Sequence, residues 1–517
     1  MKEKVDPVGP EDRVAREEFE NLSAGEKQKE FARLHEEALL RHTLNFHEKA
    51  KAETDPKQKE SLMRALDIAE SVKAEGGMGL VVGGYARDEA LRRFGYNIVP
   101  KDIDFEIYGI SFEKLKKILS RFGKVNIVGE QFGVFKIGDL DISIPRRDSK
   151  TGKGHKGFAV ESDPEMTIRA AARRRDFTMN ALGLDPLTGE IVDKYGGLKD
   201  IQEKILRAVD SETFDEDPLR VLRAMQFAGR FGFSVAPETV ELCKHIDFSE
   251  LPKERIGEEW SKLLLKSPKP SVGMEVAREL GVIEKLHPEL HALIGVPQDK
   301  EHHPEGDAWA HTLLAVDAAA EIAEKENVGE ENAKVLLFGA LCHDLGKPLA
   351  TQLHEDGKIT SHGHAEAGVE PAKKLLASLN VSKAIVEKVL PLVEEHMFPL
   401  TNPEPSPAAV RRLARRLHPA TIGELVLVSK ADKGGRGILY KRFLESEALL
   451  RIAEALEIKE AKPTPLVDGR DLILLGMKPS KHFGEILNEL LEAQLEGKFR
   501  TKEEGIAYFH AHIKKSP

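Results

Sequence analysis

A pair of glycines at the end of an apolar run has the composition of a turn that holds a phosphate group. Gly83 and Gly84 follow Leu-Val-Val and precede Arg87 and Asp88. Because glycine has no side chain, the backbone can approach an anion closely, and the start of a following helix offers unpaired N–H groups to the same anion. Arg87 adds charge-assisted hydrogen bonds. The spacing therefore predicts a triphosphate site between a strand and a helix.

Two aspartates at alternating positions come next. Asp102 and Asp104 belong to one predicted strand, on which alternate side chains share a face. Asp141, in Asp-Leu-Asp-Ile-Ser-Ile, supplies a third carboxylate from a neighbouring strand. Carboxylate oxygens suit Mg²⁺, and two such ions would activate an attacking hydroxyl group and stabilise a departing pyrophosphate. For an Asp-x-Asp pair taken alone, the alternative is an exposed strand face without a metal.

A polar block follows a basic stretch further along the chain. It contains Arg175, Asp176 and Asn180. An Arg-Asp pair beside an Asn has both donors and acceptors, as contacts to a ribose hydroxyl and to phosphates require. A helix cap with flanking charges is the other interpretation. The block is therefore a candidate for binding the sugar of a nucleotide.

A third motif predicts a helix whose surface recognises a base. Asp217 suits the N-cap and Pro218 the first helical position, which places Asp217, Arg220 and Arg223 on one helical row. A carboxylate acceptor beside an arginine donor matches the pairing edges of cytosine and adenine and mismatches those of uracil and guanine. Such a row would stand in for a nucleic acid template. Ordinary ion pairing on a helix surface is the alternative.

A separate cluster of histidines and aspartates lies in the second half of the chain. His343 and Asp344 end an apolar helix, and Gly346 is placed to stop it. His311 and Asp432 complete a His, His, Asp, Asp set that suits Mg²⁺, Mn²⁺ or Ni²⁺. The residues predicted to serve a second metal or the substrate phosphate are His364, His396 and Lys347.

The hydrophobic pattern divides the chain into segments. Short β-branched runs alternate with helical stretches over residues 62–200, which indicates an α/β or α+β domain, and the periodicity is helical beyond it. We predict a charged helical or partly disordered extension at 1–61, a head at 62–200, a helical neck at 201–298, a helical metal-binding domain at 303–440 and a helical tail at 441–517.

Composition limits the class of protein. With 517 residues, 41% of them hydrophobic and 32% charged, the chain exceeds a single hydrophobic core and resembles ordinary soluble proteins. It has neither a long apolar run nor a signal-peptide pattern, so we expect a cytoplasmic protein without a membrane partner. The two cysteines, Cys243 and Cys342, fit a reducing compartment and leave any metal to His and carboxylate. The net charge of -10 argues against bulk attraction to nucleic acid, so RNA contacts must be local, and no DNA partner is expected.

In this order and spacing, the motifs from Gly83 to Arg223 resemble the class II tRNA nucleotidyltransferase and bacterial poly(A) polymerase family. The resemblance implies a multidomain α+β protein, with a polymerase β-like head built on a mixed sheet and an all-helical neck. It also implies that the loop 145–163 repositions between C and A addition. Many members have another arginine three residues after Arg223, where this chain has Gln226. The implied roles are metal ligation by Asp102 and Asp104, triphosphate contacts from Gly84 and Arg87, ribose contacts from Arg175 and Asp176, and base reading by Asp217 and Arg220.

The His-Asp cluster resembles the HD phosphohydrolase family, and the tail is similar to the C-terminal RNA-binding segment of some class II enzymes. In the HD family a metal activates water for attack on a phosphate ester, and Lys347 would neutralise charge. Together the resemblances imply an enzyme that adds or repairs the CCA end of tRNA from CTP and ATP without a template. Its accessory hydrolase would act on phosphate or 2′,3′-cyclic phosphate ends. The alternatives are a transferase that adds only A, such as a poly(A) polymerase, and a hydrolase whose transferase half merely binds RNA. The oligomeric state stays open.

Overall fold

The computed structural model of the chain describes residues 45–128, 134–150, 158–436, 444–479 and 482–513. The chain divides into two compact units, Met1–Phe214 and Asp215–Pro517. Most of the predicted extension at 1–61 lies outside the described residues. Its end is helical: α1 (Phe46–Ala52) precedes α2 (Pro56–Ala74), and the predicted boundary at residue 61 falls inside α2. The finer division into five segments stays a prediction.

A seven-stranded mixed sheet forms the centre of the first unit. Its strands lie in the order β3, β4, β5, β2, β1, β8 and β9. β2 and β5 run parallel, and the other described pairs of this sheet run antiparallel. The predicted head with a mixed sheet is confirmed. The bounds are β1 (Met78–Val82), β2 (Ile103–Tyr108), β3 (Asn126–Val128), β4 (Val134–Ile137), β5 (Leu140–Ser143), β8 (Gly183–Leu184) and β9 (Ile191–Val192).

Helices cover this sheet because their apolar residues recur at helical spacing. In the helix Phe112–Leu119 the buried residues are Leu115, Ile118 and Leu119, and α2 packs against this helix and against β1 and β2. On β2 the alternation of side chains buries Ile103 and Phe105. The remaining elements of the first unit are α3 (Gly84–Arg93), α4 (Phe112–Leu119), α5 (Ile168–Arg173), a 3₁₀ turn (Thr178–Asn180), α6 (Gly197–Glu203) and β10 (Ile205–Leu206).

The predicted moving loop at 145–163 is in part a hairpin. β6 (Arg146–Lys150) pairs antiparallel with β7 (Phe158–Ser162). Residues 151–157 lie outside the described residues. Repositioning of this loop stays a prediction.

The second unit is helical and begins with a group of helices before residue 292. In α7 (Leu219–Phe231) the buried face includes Val221, Leu222 and Met225, and the helix ends at Gly232, whose φ of 71° is the left-handed conformation common at helix ends. The elements that follow are β11 (Ser234–Val235), α8 (Pro237–Lys244), α9 (Lys253–Lys266), α10 (Pro270–Glu279), α11 (Val282–Leu286) and α12 (Pro288–His291).

Further along, α14 (Glu330–Cys342) is the buried helix that ends at the His-Asp pair. Every residue from Val335 to Cys342 is buried, so this helix is apolar on all sides. The expectation that Gly346 stops the helix is wrong: its φ of -86° is ordinary, and a Cβ there would lie 1.9 Å from the carbonyl oxygen of His364. Gly346 therefore allows close backbone packing. The other elements of this region are α13 (Ala308–Lys325), α15 (Lys347–Ala350), β12 (Gln352–Leu353), β13 (Ile359–Thr360), α16 (His364–Ala367), α17 (Val369–Ser378), α18 (Lys383–Glu395), α19 (Phe398–Thr401), α20 (Pro407–Leu417) and α21 (Ile422–Gly435).

The tail has a small core of its own, formed by residues that include Val467, Leu472, Leu490 and Phe499. Its helices are α22 (Leu444–Ala455), α23 (Gly469–Leu474), α24 (His482–Leu495) and α25 (Lys502–Tyr508), followed by a π-helical turn (Phe509–Ile513). Across the described residues, no helix combines the length and the apolarity that a membrane span requires.

Candidate active sites

The glycine turn lies beside the first group of carboxylates. Gly83 is the N-cap of α3 and has a φ of 69°, a left-handed conformation that favours glycine. A Cβ at Gly83 would lie 3.2 Å from Asp104 Oδ2 and 3.6 Å from Arg175 Nη1. The sheet explains this proximity, because Val82 pairs with Asp104 across β1 and β2. The turn, the carboxylate and an arginine therefore meet where β1 ends and β2 begins, in the middle of the sheet.

Three acidic residues lie at this end of the strands. Asp104 and Asp141 are register partners on the parallel strands β2 and β5, and Asp102 immediately precedes β2. Partial desolvation and the charges of Asp141 and Asp102 raise the pKa of Asp104 above its ordinary value, although Arg175 opposes them. Lys136 Nζ lies 3.0 Å from Asp141 Oδ1. A cation beside Asp104 would relieve the repulsion among these carboxylates, so the donor set fits a divalent metal.

A buried network links the glycine turn to the polar block. Arg87 donates to Asp88 Oδ1 at 2.7 Å and to Asn180 Oδ1 at 3.1 Å. Asn180 in turn donates to Asp176 Oδ1 at 2.8 Å. All four side chains are buried, and buried polar groups need such partners. The network joins α3 to the 3₁₀ turn and so fixes the glycine turn relative to the polar block.

The predicted base-reading residues lie at the start of α7. Asp217 Oδ1 accepts a hydrogen bond from the Leu219 N–H at 3.1 Å, and Pro218 has helical dihedral angles, φ -55° and ψ -21°. Asp217 therefore caps the helix, although the helix begins at Leu219, one residue later than predicted. Asp217 precedes the helix, so Arg220 and Arg223 are the members of the predicted row that lie on it.

Arg255, on α9, holds the carboxylate of Asp217. Arg255 Nη2 donates to Asp217 Oδ2 at 3.2 Å. The guanidinium of Arg223 lies over the ring of Phe227, 5.0 Å from its centroid. Asp217 is thus oriented by an arginine 38 residues away, for which the sequence offers no local signal.

Three of the predicted metal ligands in the second unit lie around a fourth, His311. Its Nε2 atom lies 3.0 Å from Asp432 Oδ1, 3.2 Å from His343 Nε2 and 3.6 Å from Asp344 Oδ2. α13 supplies His311, the end of α14 supplies His343 and Asp344, and α21 supplies Asp432. All four side chains are buried. The structure therefore brings the predicted His, His, Asp, Asp set together.

Two more histidines face Asp344 from its other side. Asp344 Oδ1 lies 3.4 Å from His364 Nε2, which is 3.1 Å from His396 Nε2. Asp344 therefore lies between two groups of nitrogen ligands. Asp344 therefore belongs to both of the ligand groups that could hold a metal ion.

Backbone carbonyls orient three of these histidines. Nδ1 of His343, His364 and His396 each lies 2.7 Å from the carbonyl oxygen three residues earlier. A carbonyl oxygen only accepts, so each Nδ1 has a proton and each Nε2 is the ring nitrogen left for the cluster. Burial lowers the pKa of His396 to about 3 and also lowers the pKa of His364, so both rings are neutral at pH 7. Two lone pairs 3.1 Å apart repel each other unless a cation lies between them, so this pair fits a metal ion.

Two cationic side chains border the cluster. Lys347 Nζ lies 2.7 Å from Asp344 Oδ2, and Arg436 Nη2 donates to Asp432 Oδ1 at 3.0 Å. Although burial opposes ionisation, His343 and Lys347 hold the pKa of Asp344 well below its ordinary value. Both cations line an open cavity of about 540 Å³ that reaches the His-Asp cluster. Positive charge at the mouth of a metal site suits a phosphate ester.

Glu305 orients His311 from behind. His311 Nδ1 donates to Glu305 Oε1 at 2.6 Å, and His303 Nδ1 lies 2.9 Å from the same oxygen. Burial alone would raise the pKa of Glu305, but the hydrogen bonds from His303 and His311 lower it to about 2. Glu305 is therefore an ionised carboxylate that fixes the ring of His311, a predicted metal ligand.

Three family models match parts of the chain. The "Poly A polymerase head domain" matches residues 80–207, the "Probable RNA and SrmB- binding site of polymerase A" matches 232–294, and the "HD domain" matches 308–433. The multifunctional CCA protein of Stenotrophomonas maltophilia is 34% identical over 390 residues, which cover 72% of this chain and 90% of the relative. That of Actinobacillus pleuropneumoniae is 35% identical over 369 residues, 69% of this chain and 85% of the relative. The chain belongs to the multifunctional CCA protein family.

Solved CCA-adding enzymes share the fold. The Bacillus stearothermophilus enzyme, in complex with CTP, has a TM-score of 0.58 at 21% identity, over 89% of this chain and 100% of that chain. The Thermotoga maritima enzyme, complexed with tRNA, has a TM-score of 0.55 at 20% identity, over 90% and 99%. As a member of the multifunctional CCA protein family, the chain is a tRNA nucleotidyltransferase with a fused HD domain, and both kinds of domain depend on metal.

Four side chains that contact the predicted site residues were not themselves predicted to belong to a site. Glu106 lies two residues after Asp104, so the alternation of β2 places both on one face and was a usable signal. Arg436 lies one helical turn after Asp432, which is also a readable spacing. Glu305 and Arg255 reach their partners through tertiary packing. No pattern in the sequence indicates those contacts.

Proposed function

We propose that the chain adds and repairs the 3′-terminal CCA of tRNA from CTP and ATP, and that its HD domain hydrolyses phosphate or 2′,3′-cyclic phosphate ends of RNA. The observation that supports transfer is the position of Asp104 beside the Gly83 turn, with Asp141 as its register partner. Family membership favours CCA addition over A-only addition by a poly(A) polymerase, and over a hydrolase whose other half merely binds RNA. Solved CCA-adding enzymes in complexes with CTP, ATP and tRNA support the same ligands here.

In the head, Asp102 and Asp104, with Asp141, would hold Mg²⁺. Bound there, Mg²⁺ supplies Lewis-acid activation of the RNA 3′-hydroxyl and charge neutralisation for the departing pyrophosphate. The N–H groups at the start of α3, from Gly84 onward, face the triphosphate and contribute the positive end of the helix dipole. Arg175 contacts the ribose, as the resemblance implies, and also binds the phosphates from the side of Asp104.

The buried network supports the same site from behind. Asp176 and Asn180 hold the ribose, and Arg87 with Asp88 keeps these two residues in place through the bonds already described. Arg87, buried to the same extent as Asp176 and Asn180, contributes positive charge to the predicted triphosphate site from behind the glycine turn.

Base choice is assigned to the start of α7. Asp217 accepts a hydrogen bond from the exocyclic amino group of cytosine or adenine, and Arg220 donates to the ring nitrogen beside it. Arg255 fixes the direction in which Asp217 accepts. Arg223 supports this row through its contact with Phe227.

In the HD domain, one divalent metal such as Mg²⁺, Mn²⁺ or Ni²⁺ would bind His311, His343, Asp344 and Asp432. A second would bind Asp344, His364 and His396. These ions supply activation of a water molecule for attack on phosphorus. Lys347 and Arg436 then hold the phosphate oxygens at the mouth of the cavity.

The remaining predictions belong to the same proposal. The protein acts in the cytoplasm on the 3′ end of tRNA, with neither a membrane nor DNA as a partner. Segments 62–200, 201–298, 303–440 and 441–517 serve as head, neck, HD domain and RNA-binding tail.

The test offers purified protein tRNAs that end before CCA, after C and after CC, each with CTP, ATP, GTP and UTP separately. We expect CTP to extend the first two substrates and ATP the third, with no use of GTP or UTP. Asp102→Ala should abolish incorporation while hydrolysis of a 2′,3′-cyclic phosphate end continues. Long tails made from ATP alone would instead indicate a poly(A) polymerase. Failure to hydrolyse such ends with any divalent metal would refute the proposed HD activity.

A further inference from the structure

Three consecutive arginines in the head point to different partners. Arg173 forms ion pairs with Asp210 and Glu212. Arg174 Nη2 donates to Glu106 Oε1 at 3.1 Å. Arg175 has no ion pair among the described residues, and its Nη1 atom lies beside the Gly83 turn. The first two arginines are therefore held by carboxylates, and the third faces the nucleotide site.

Glu106 is a buried carboxylate on the face of β2 that also presents Asp104. Asp104 is exposed at the site, whereas Glu106 is 2% exposed. Its Oε2 atom accepts from the Tyr108 hydroxyl at 2.7 Å, and its Oε1 atom accepts from Arg174. Because both oxygens already have partners, Glu106 is not a further metal ligand. A buried carboxylate is costly unless it is paired, so the contact to Arg174 is a strong constraint on that arginine.

The chain geometry transmits this constraint to Arg175. α5 ends at Arg173, Arg174 is its C-cap, and the Arg175 N–H donates to the carbonyl of Ala172 at 3.1 Å. Neighbouring residues at such a tight turn cannot rotate independently. When Arg174 is drawn towards Glu106, Arg175 is left on the side of Asp104.

We propose that Glu106 is a positioning residue of the transfer site, which holds Arg174 away from the incoming triphosphate and so directs Arg175 towards it. This inference rests on the proposed transfer function. It predicts that Glu106 acts on nucleotide binding and leaves recognition of the tRNA body unchanged.

Glu106→Gln removes the charge and keeps the shape. We expect the KM for CTP and for ATP to rise about tenfold, equivalent to one charged hydrogen bond, with kcat changed much less. The KM for tRNA and the HD activity should stay as in the wild type. Arg174→Gln should have the same effect, and the double variant should be no worse than either single variant.

The matched control is Glu89→Gln. Glu89 is 1% exposed in the same unit and is paired with Lys49 and Arg92, and among the described residues it forms no hydrogen bond or ion pair with Glu106. If both variants lose thermal stability but only Glu106→Gln raises the nucleotide KM, the role is positioning. An unchanged nucleotide KM in folded Glu106→Gln, or an equal rise in Glu89→Gln, would overturn it.

Direct binding of ATP with Mg²⁺, measured by calorimetry, separates this inference from the proposed function. If the wild type binds ATP but transfers nothing, the proposed transfer fails, and weaker binding by Glu106→Gln still supports the positioning role. If the wild type transfers CMP and AMP and Glu106→Gln binds ATP equally well, the positioning role fails alone.

Discussion

Removing the carboxylate behind His311 should weaken metal binding in the HD domain by a defined amount. Glu305 accepts from His311 Nδ1 at 2.6 Å and is an ionised group, with its pKa lowered to about 2 by the hydrogen bonds that outweigh burial. Loss of such a partner typically costs about 10-fold to 100-fold in metal affinity, or roughly 1.4 to 2.8 kcal/mol. Glu305→Gln keeps an acceptor for the Nδ1–H and loses only the charge, so we expect about 10-fold. Glu305→Ala loses both, so we expect about 100-fold.

The assay titrates Mn²⁺ into metal-free protein by calorimetry and follows hydrolysis of a nucleoside 2′,3′-cyclic phosphate against metal concentration. Both variants should recover activity at higher Mn²⁺, since the ligands themselves remain. Glu301→Gln, an exposed change in the same loop, serves as the control, and CCA addition by the same preparations should be unchanged. Superimposable titrations for wild type and Glu305→Ala would refute the reasoning.

Three further predictions follow from single sites. Gly83→Ala should abolish nucleotide transfer, because residue 83 has a left-handed conformation and its new Cβ would lie 3.2 Å from Asp104 Oδ2. Gly84→Ala, whose Cβ would lie 3.7 Å from the nearest atom, should reduce transfer less. Initial rates of CTP incorporation compare the two variants. His396→Ala should lower the metal content of the purified protein from two ions to one per chain, as measured by elemental analysis, and an unchanged content would contradict the second metal site. Burial lowers the pKa of His287 from 6.5 to about 3, so the unfolded chain binds the extra proton and stability should fall as the pH drops below 6.5, by up to ~1.4 kcal/mol per pH unit. Denaturant unfolding from pH 7 to pH 5 should show this slope, and His287→Gln should flatten it.

Local patterns predicted the parts of the sites that depend on one element. Alternation predicted Asp102 and Asp104 on one face of a strand, whereas β2 begins at Ile103, so Asp104 lies on the strand and Asp102 just before it. The adjacency of His343 and Asp344 predicted two neighbouring side chains at the end of one helix, as the structure has them. Both follow from the 2-residue and 3.6-residue periods of strand and helix, which are properties of the chain itself. The alternation of strands and helices in the head and the helical second unit were predictable for the same reason, whereas the mixed sheet was implied by the family resemblance.

Contacts between distant elements were not predictable in this way. Asn180 meets Arg87 across 93 residues, and Arg255 meets Asp217 across 38. Burial of apolar faces decides which elements pack together, and the polar pairs then depend on the register of that packing. The misassigned role of Gly346 has the same origin, since the close approach of the His364 backbone is a tertiary contact that a helix-stop pattern does not record.

We propose that Asp102 and Asp104 hold divalent metal beside the glycine turn so that CTP or ATP is joined to an RNA end. A crystal of the chain grown with Mn²⁺ and a non-hydrolysable CTP analogue tests it most directly, through the anomalous signal of manganese. We predict anomalous peaks at about 2.0–2.3 Å from oxygens of both carboxylates, with the triphosphate against the start of α3. A bound nucleotide with no manganese at either carboxylate, or with both side chains turned away from the α-phosphorus, would contradict the account.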